Sequence, residues 1–390
     1  MKTKIAVLTA TRAEYGLLSP IIHELKCRDF FDVKVVVTGA HLSSEFGYTY
    51  KEIEEDGIEI DRKIEILSDA DSQAAISKSM GLAMMHFAEY FGESRPDFLM
   101  VLGDRYETLA VCCAAMIACI PIVHLYGGET TEGAVDEAVR HAITKMSYYH
   151  FTSIEEYRRR VIQLGENPER VYTVGSIGVE NALKMTLLSR SELENSLKFK
   201  LDSPYAIVTF HPVTLEGDTA EGQFKEILDA LDEYPQMKYI FTKANADANG
   251  RVINKMIDKY VVQKENAVAF ESLGVKRYLS SLKYATMVIG NSSSGLLEVP
   301  SFKIPTINIG DRQKGRLKAE SVIDCEPIKQ AICYAMEKAI SPEFLNGLKM
   351  VENPYGDGNT SKKLVDILEE NIRENSINLK KRFFDITFEI

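Results

Sequence analysis

A chain of 390 residues with a net charge of −11 lacks the clustered positive charge that would make a nucleic-acid backbone or an anionic membrane its main partner. Hydrophobic residues at 45% and charged residues at 26% are ordinary for a globular protein, and no apolar run approaches the roughly 20 residues that span a bilayer. The length predicts two domains, and the Met1-Lys2-Thr3-Lys4 start runs directly into a β-type segment without a signal-peptide pattern, so the expected compartment is the cytosol.

From the N-terminus, β-type runs alternate with helical patterns. This predicts an α/β chain built as two Rossmann-like, doubly wound domains. Strands are expected at residues 5–9, 33–38, 98–102, 120–125, 150–152 and 171–174, with amphipathic helices at 17–26, 74–91, 106–118 and 135–146. Cys112, Cys113 and Cys119 fall in or just after the Ala-rich helix, and Cys27, Cys325 and Cys333 show no metal-type spacing; all are read as reduced and structural. The pattern pauses at Gly175-Ser176-Ile177-Gly178 and through the polar segment 189–203, which marks a hinge. A second cycle follows, with strands at 205–210, 238–242, 267–270, 286–289 and 306–309. The expected boundaries are an N-terminal domain at 1–185, a C-terminal domain at 186–365, and a last helix and tail at 366–390 that can pack back on the first domain. Two such domains facing a central cleft bind ligands at the carboxyl ends of their strands, so motifs there carry the function.

The first strand ends in Thr11-Arg12-Ala13-Glu14-Tyr15-Gly16 and enters a helix. Arg12 reads either as an exposed turn residue or as a bidentate cation for phosphate or carboxylate. The strand at 98–102 ends in Gly103-Asp104-Arg105-Tyr106-Glu107, where Asp104 is either an N-cap or an acid-base group. The next ends in His124-Leu125-Tyr126-Gly127-Gly128-Glu129, followed by Asp136, Glu137, Arg140 and His141. Asp104, Glu129 and Asp136, with Glu137 beside them, put more carboxylates on one rim than helix capping needs, and neighbouring carboxylates split into proton donors and acceptors. In the second domain, Phe210-His211-Pro212 follows a strand, and Gly290-Asn291-Ser292-Ser293-Ser294-Gly295 follows another and opens a helix. That Gly/Ser turn offers amides and hydroxyls to a diphosphate, Glu298 lies within reach of ribose hydroxyls, and Arg312 can neutralise phosphate charge. Asp69-Ala70-Asp71 reads as a capped loop and His86 as part of a Met-rich helix face, so no metal and no other cofactor is expected.

Together these segments, with Thr38-Gly39-Ala40-His41-Leu42, Arg140-His141-Ala142-Ile143-Thr144-Lys145-Met146, His211-Pro212-Val213-Thr214 and Ile309-Gly310-Asp311-Arg312-Gln313-Lys314-Gly315-Arg316, resemble the hydrolysing UDP-N-acetylglucosamine 2-epimerases, especially those of bacterial sialic-acid pathways. The resemblance covers nearly the whole chain. It implies a two-domain fold like that of GT-B glycosyltransferases, a UDP-sugar substrate, a homodimer, and release of UDP with inversion at C2 to give N-acetylmannosamine. Carried residue by residue, it puts nucleotide contacts at Arg12, Gly16, Arg105, His211, Asn245, Ser292, Ser293, Glu298 and Arg312 and the catalytic acids at Asp104 and Asp136; the turn and rim themselves add Ser294 and Gly295 to the nucleotide contacts and give Glu129 and His211 assisting roles. One position departs: Tyr126 stands where the family often has a glutamate. Either Glu129, three residues on, supplies that acid, or Tyr126 tunes the site to a different sugar, which keeps open the same reaction on a nucleotide-linked diacetamido sugar, feeding legionaminic acid. A GT-B glycosyltransferase and a nucleotide-sugar sensor without turnover are the other readings.

Overall fold

The computed structural model describes residues 2–44, 47–67, 73–131, 135–212, 219–244, 250–374 and 376–387. In chain order the first region runs β1 (Thr3–Thr9), α1 (Arg12–Lys26), β2 (Phe31–Thr38), α2 (Tyr50–Glu55), β3 (Ile60–Ile64), α3 (Gln73–Ser94), β4 (Phe98–Leu102), α4 (Tyr106–Ile117), β5 (Ile122–Leu125), α5 (Val135–Met146), β6 (Tyr149–Thr152), α6 (Glu155–Gln163), β7 (Val171–Thr173) and α7 (Ile177–Lys184). The second runs α8 (Arg190–Leu197), β8 (Tyr205–Thr209), α9 (Ala220–Leu231), β9 (Lys238–Thr242), α10 (Gly250–Gln263), β10 (Ala267–Phe270), α11 (Gly274–Tyr284), β11 (Met287–Gly290), α12 (Ser294–Leu297), β12 (Thr306–Ile309), β13 (Val322–Cys325), α13 (Lys329–Ala339) and α14 (Pro342–Leu348); α15 (Thr360–Glu374) ends the series. The chain forms two compact units, residues 1–180 with 356–390 and residues 181–355. The division therefore falls five residues before the domain boundary expected at 185, and 356–365, expected in the second domain, belong with the first.

Both sheets are parallel. The first has strand order β3-β2-β1-β4-β5-β6-β7 and the second β10-β9-β8-β11-β12-β13. In β1, alternate residues serve opposite faces. Ile5 and Val7 join a core with Leu18, Ile21, Ile22 and Leu25 of α1 and Leu364, Val365 and Leu368 of α15. Ala6 and Leu8 face the other way, onto Phe87, Tyr90 and Phe91 of α3 and Val111 of α4. Strands buried on both faces read as continuous apolar runs, which is why β1, β4, β8 and β12 stand out in the sequence. The edge strands do not: β3 is Ile60-Asp61-Arg62-Lys63-Ile64, with its three central residues exposed, and β13 is half polar. Edge positions tolerate charge and lose the signal that marks a strand. Among the described residues no helix is long and apolar enough to cross a membrane, and all six cysteines are free.

The C-terminal segment is tied to the first unit by charge as well as by α15. Ser361 donates from its backbone and its hydroxyl to the buried Glu180 carboxylate, both at 2.6 Å. Beyond the helix, Lys381 Nζ lies 2.6 Å from Glu166, which also accepts from Lys145 at 2.6 Å and from His150 at 3.1 Å. Burial alone would raise the Glu166 pKa, but His150, Lys145 and Lys381 outweigh it and hold the carboxyl at about 2. A depressed carboxyl stabilises the fold above its unfolded value, and that contribution disappears as pH falls through the native value. Lys381→Ala is therefore expected to lower the Tm by about 3–10 °C at neutral pH. Its deficit relative to wild type should shrink as pH falls from 4.5 toward 2; thermal unfolding across that range reads it.

Candidate active site

Strand order reverses between β1 and β4 in the first unit and between β8 and β11 in the second, and polar groups collect beyond the carboxyl ends of these strands, as expected for open α/β sheets. In the first unit, Thr11 caps α1 in a full capping box: its hydroxyl accepts from Glu14 N at 3.3 Å, and Glu14 Oε2 accepts from Ala10 N at 2.7 Å and Thr11 N at 3.2 Å. Arg12 is thereby fixed at the first helical position, 3.7 Å from Glu52, with Gly16 one turn on. The cap carboxylate is itself unusual. Burial, then the charge of Glu107, pushes Glu14 up to about 7, while Glu107, 1% exposed, holds Arg105 Nε at 2.5 Å.

Beyond β4, Gly103 takes φ +77°, a conformation that favours glycine, and turns the chain so that Asp104 leaves the strand end. Asp104 is not the cap of α4; Arg105 occupies that position without a side-chain capping bond. The Asp104 carboxylate instead accepts a short hydrogen bond from Arg140. Arg140, only 2% exposed, also donates to Glu137 at 2.7 Å, Thr131 Oγ1 at 2.7 Å and the Glu129 carbonyl at 2.8 Å. Glu137 accepts from Thr131 N at 2.6 Å and lies 3.0 Å from His141. Burial would raise the Glu137 pKa, yet the Thr131 amide and the Arg140 charge keep it below the ordinary carboxylate range. Glu129 is half-buried, with Ser153 Oγ 3.5 Å from its carboxylate. Asp136 is exposed in the first turn of α5, one residue before the carboxylate that Arg140 grips. Among Asp104, Glu129 and Asp136, the structure thus joins Asp104 and the Glu129 backbone directly to one guanidinium, while Asp136 is exposed.

Beneath this rim, the buried His124 contacts the Gly103 carbonyl through Nε2 at 2.8 Å and Thr144 through Nδ1 at 3.3 Å, and burial lowers its pKa to about 3. Because a carbonyl only accepts, Nε2 carries the proton. Gly127 sits against this pair, since an added Cβ would lie 3.1 Å from Thr144 Oγ1 and 3.2 Å from His124 Nδ1. Tyr126 adopts φ +66°, and its hydroxyl accepts from Ile177 N at 2.8 Å and lies 3.2 Å from Ser176 Oγ. The Tyr126 oxygen is thus held at the start of α7.

In the second unit, β8 runs into His211 and β11 into Asn291. His211 is kept neutral: burial, then the Arg312 charge, lowers its pKa to about 4. Arg312 donates to the Asn291 carbonyl at 3.0 Å. The serine turn opens a shorter helix than its sequence implies, since α12 has four residues and gives way to a 3-10 turn at Val299–Phe302. Ser294 Oγ accepts from Tyr278 at 2.7 Å, and Gly295 packs on Thr306, whose Cγ2 would meet an added Cβ at 2.6 Å. Ser294 and Gly295 therefore build the turn, with Ser292 and Ser293 as its half-buried hydroxyls and Glu298 closing α12. Asn245, Asp69 and Asp71 lie outside the described residues, and among the described residues no group of three or more His, Cys, Asp or Glu could hold a metal ion.

Three groups that organise these sites carry weak signals in the sequence. Glu137 and Arg140 have the i,i+3 spacing of a helical ion pair, the one local clue to the Arg140 hub. Glu14 reads as a capping-box acid, and nothing local distinguishes its burial. Asn291 reads as part of a polar turn, although its partner His211 is 80 residues away.

The model of the family described as UDP-N-acetylglucosamine 2-epimerase matches residues 23–369. The chain is 43% identical to a Campylobacter jejuni protein named GDP/UDP-N,N'-diacetylbacillosamine 2-epimerase (hydrolyzing), over 99% of this chain and 100% of that one. It is 39% identical to an Escherichia coli protein named polysialic acid biosynthesis protein P7, over 98% and 97% of the two chains. Its fold matches the crystal structure of Methanocaldococcus jannaschii UDP-GlcNAc 2-epimerase in complex with UDP-GlcNAc and UDP, with a TM-score of 0.77 at 19% identity, over 94% and 100% of the two chains. This chain belongs to the UDP-N-acetylglucosamine 2-epimerase family of enzymes.

Proposed function

We propose that the protein is a hydrolysing 2-epimerase that converts UDP-N-acetylglucosamine and water to N-acetylmannosamine and UDP. The observation that carries this reading is the Arg140 hub, which gathers the Asp104 and Glu137 carboxylates and the Glu129 backbone beyond β4 and β5, with Asp136 one residue before Glu137 in the chain. The C2 hydrogen of the sugar has no adjacent carbonyl, so its loss must be coupled to departure of UDP and positive charge at C1. In the second unit, Arg312 balances the departing diphosphate, neutral His211, Ser292 and Ser293 donate hydrogen bonds to it, and Glu298 takes the ribose hydroxyls; Arg12 and Arg105 join this contact set by family resemblance. Asn245 belongs to the same contact set by family resemblance. As the C1–O bond breaks, its electron pair leaves with UDP, a carboxylate takes the C2 proton, and the C–H electrons form the C1–C2 double bond of a glycal. Water then adds through oxygen to C1 while an acid returns a proton to the opposite face of C2. Asp104 and Asp136 divide the C2-proton and water steps, with Glu129 assisting. Elimination followed by hydration exchanges no electrons with a redox partner, and the proposed reaction needs no cofactor. The proposed assembly is a homodimer acting in the cytosol, the former read by light scattering.

A second reading is the same reaction on nucleotide-linked N,N'-diacetylbacillosamine. One observation favours it, the 43% identity to the Campylobacter protein of that name; the family resemblance adds that Tyr126, whose hydroxyl is held by Ile177 N and lies 3.2 Å from Ser176 Oγ, takes the place of a glutamate. Incubation of the enzyme with each sugar nucleotide, followed by proton NMR of the products, separates the readings. Free N-acetylmannosamine with UDP is the expected result; turnover of the diacetamido compound alone selects the second. Consumption that requires an added acceptor, or UDP binding without consumption of either compound, overturns both.

A further inference from the structure

The second unit contains a junction at which one side chain completes a sheet. The backbone pairing of β8 with β11 ends at Thr209 and Gly290. Gly290, at φ +137°, passes so close to β8 that an added Cβ would lie 1.9 Å from the Thr209 carbonyl oxygen, so only glycine brings the next residue in. Asn291 N then donates to the Thr209 carbonyl at 3.1 Å. Past this point the Asn291 side chain replaces the backbone: Oδ1 accepts from His211 N at 2.7 Å, and Nδ2 donates to His211 O at 2.8 Å. A carboxamide has the donor and acceptor of a peptide group, and here it pairs with His211 as a neighbouring strand would. The Asn291 carbonyl is occupied on its other side by Arg312 Nη1 at 3.0 Å and by Gln313 Nε2 at 2.9 Å. Asn291 is 1% exposed and Gln313 2%, so each of these bonds replaces one that water cannot supply.

We propose that Asn291 is a positioning residue for the diphosphate site: by pairing with the His211 backbone and accepting from Arg312, it sets both groups relative to the serine turn that begins one residue later. This rests on the reading that His211, Arg312 and Ser292 meet the diphosphate of UDP. Asn291 itself touches other protein groups and acts through them. Its effect is transmitted by geometry, because His211 has left the strand and Arg312 lies in a loop after β12, so neither is aligned by the regular ladder.

Calorimetric titration with UDP and thermal unfolding of the full-length protein test the proposal. Asn291→Leu, which keeps the volume and removes both side-chain bonds, is expected to weaken UDP binding by roughly 10- to 100-fold, the factor that accompanies an unpaired buried donor and acceptor. Ile257→Ala, in the α10 core away from the turn, should lower the Tm and leave UDP affinity unchanged. Asn291→Asp gives the readout that loss of stability cannot imitate. At about pH 8 its carboxylate has no proton to donate to His211 O and adds negative charge near the diphosphate; toward about pH 5 a protonated carboxyl can donate again. Its UDP affinity, taken as a ratio to wild type at each pH, should therefore recover several-fold on acidification. If wild type binds UDP and Asn291→Leu binds it equally well, or if Ile257→Ala loses as much affinity as Asn291→Leu, the positioning role falls alone. If wild type binds no UDP, the proposed function falls with it.

Discussion

Asp104→Asn is expected to lower turnover of the sugar nucleotide by about 10²–10⁴-fold, the range over which a placed general base or acid contributes, while changing UDP affinity little. The amide preserves the size of the side chain and its ability to accept from Arg140, so the rim keeps its shape, but it neither takes nor returns a proton. Stability should drop modestly, because the buried Arg140 retains the Glu137 carboxylate at 2.7 Å and the Glu129 carbonyl at 2.8 Å. Asp136→Asn provides the comparison. Asp136 is exposed and Asp104 half-buried against Arg140, so the deficit of the Asp104 variant should be the less sensitive to salt. Steady-state kinetics of the two variants, with UDP release as the readout, check the assignment. Near-normal turnover in both would remove these carboxylates from the chemistry.

Arg140→Met should be the most damaging single change to the first unit. Methionine fills much of the same volume, but the change leaves Asp104, Glu137, Thr131 Oγ1 and the Glu129 carbonyl without the donor they share. Removing one partner of a buried charge cluster costs about 3–5 kcal/mol, corresponding to a Tm decrease of roughly 6–20 °C for a unit of this size. Turnover should fall at least as far as in Asp104→Asn, since the carboxylates lose their alignment together. Arg140→Lys keeps the charge without the planar fork that reaches several acceptors at once, so it should recover stability more than turnover. Differential scanning calorimetry beside kinetics distinguishes that outcome from a purely structural role, in which lysine would restore both in proportion.

What is legible in the sequence is mostly local. The interior strands announced themselves because burial on both faces demands unbroken apolar runs such as Ile5-Ala6-Val7-Leu8, and the motif turns because glycines and polar residues followed those runs directly. Edge strand β3 escaped because Asp61, Arg62 and Lys63 are acceptable where one side faces water. The serine turn was visible, but the length of its helix and the use of Ser294 by Tyr278 were not. Asp104 and Glu129, beyond β4 and β5, are visible as residue types; the guanidinium that holds the Asp104 carboxylate and the Glu129 backbone comes from α5, 36 residues beyond Asp104.

The order of residues alone is enough for the alternation of strands and helices, the turns at which functional groups emerge, and the family to which those motifs point. These are consequences of periodicity and of turn chemistry, which act over a few residues. The packing of distant segments sets the rest: that residues 356–365 join the first unit with the tail, that Glu14 is pushed up to about 7 while Glu166 is held at about 2, and that Asn291 stands in for a strand beside His211. Each depends on groups brought together from distant parts of the chain, where burial and the partner that arrives, rather than the residue type, set charge state and orientation.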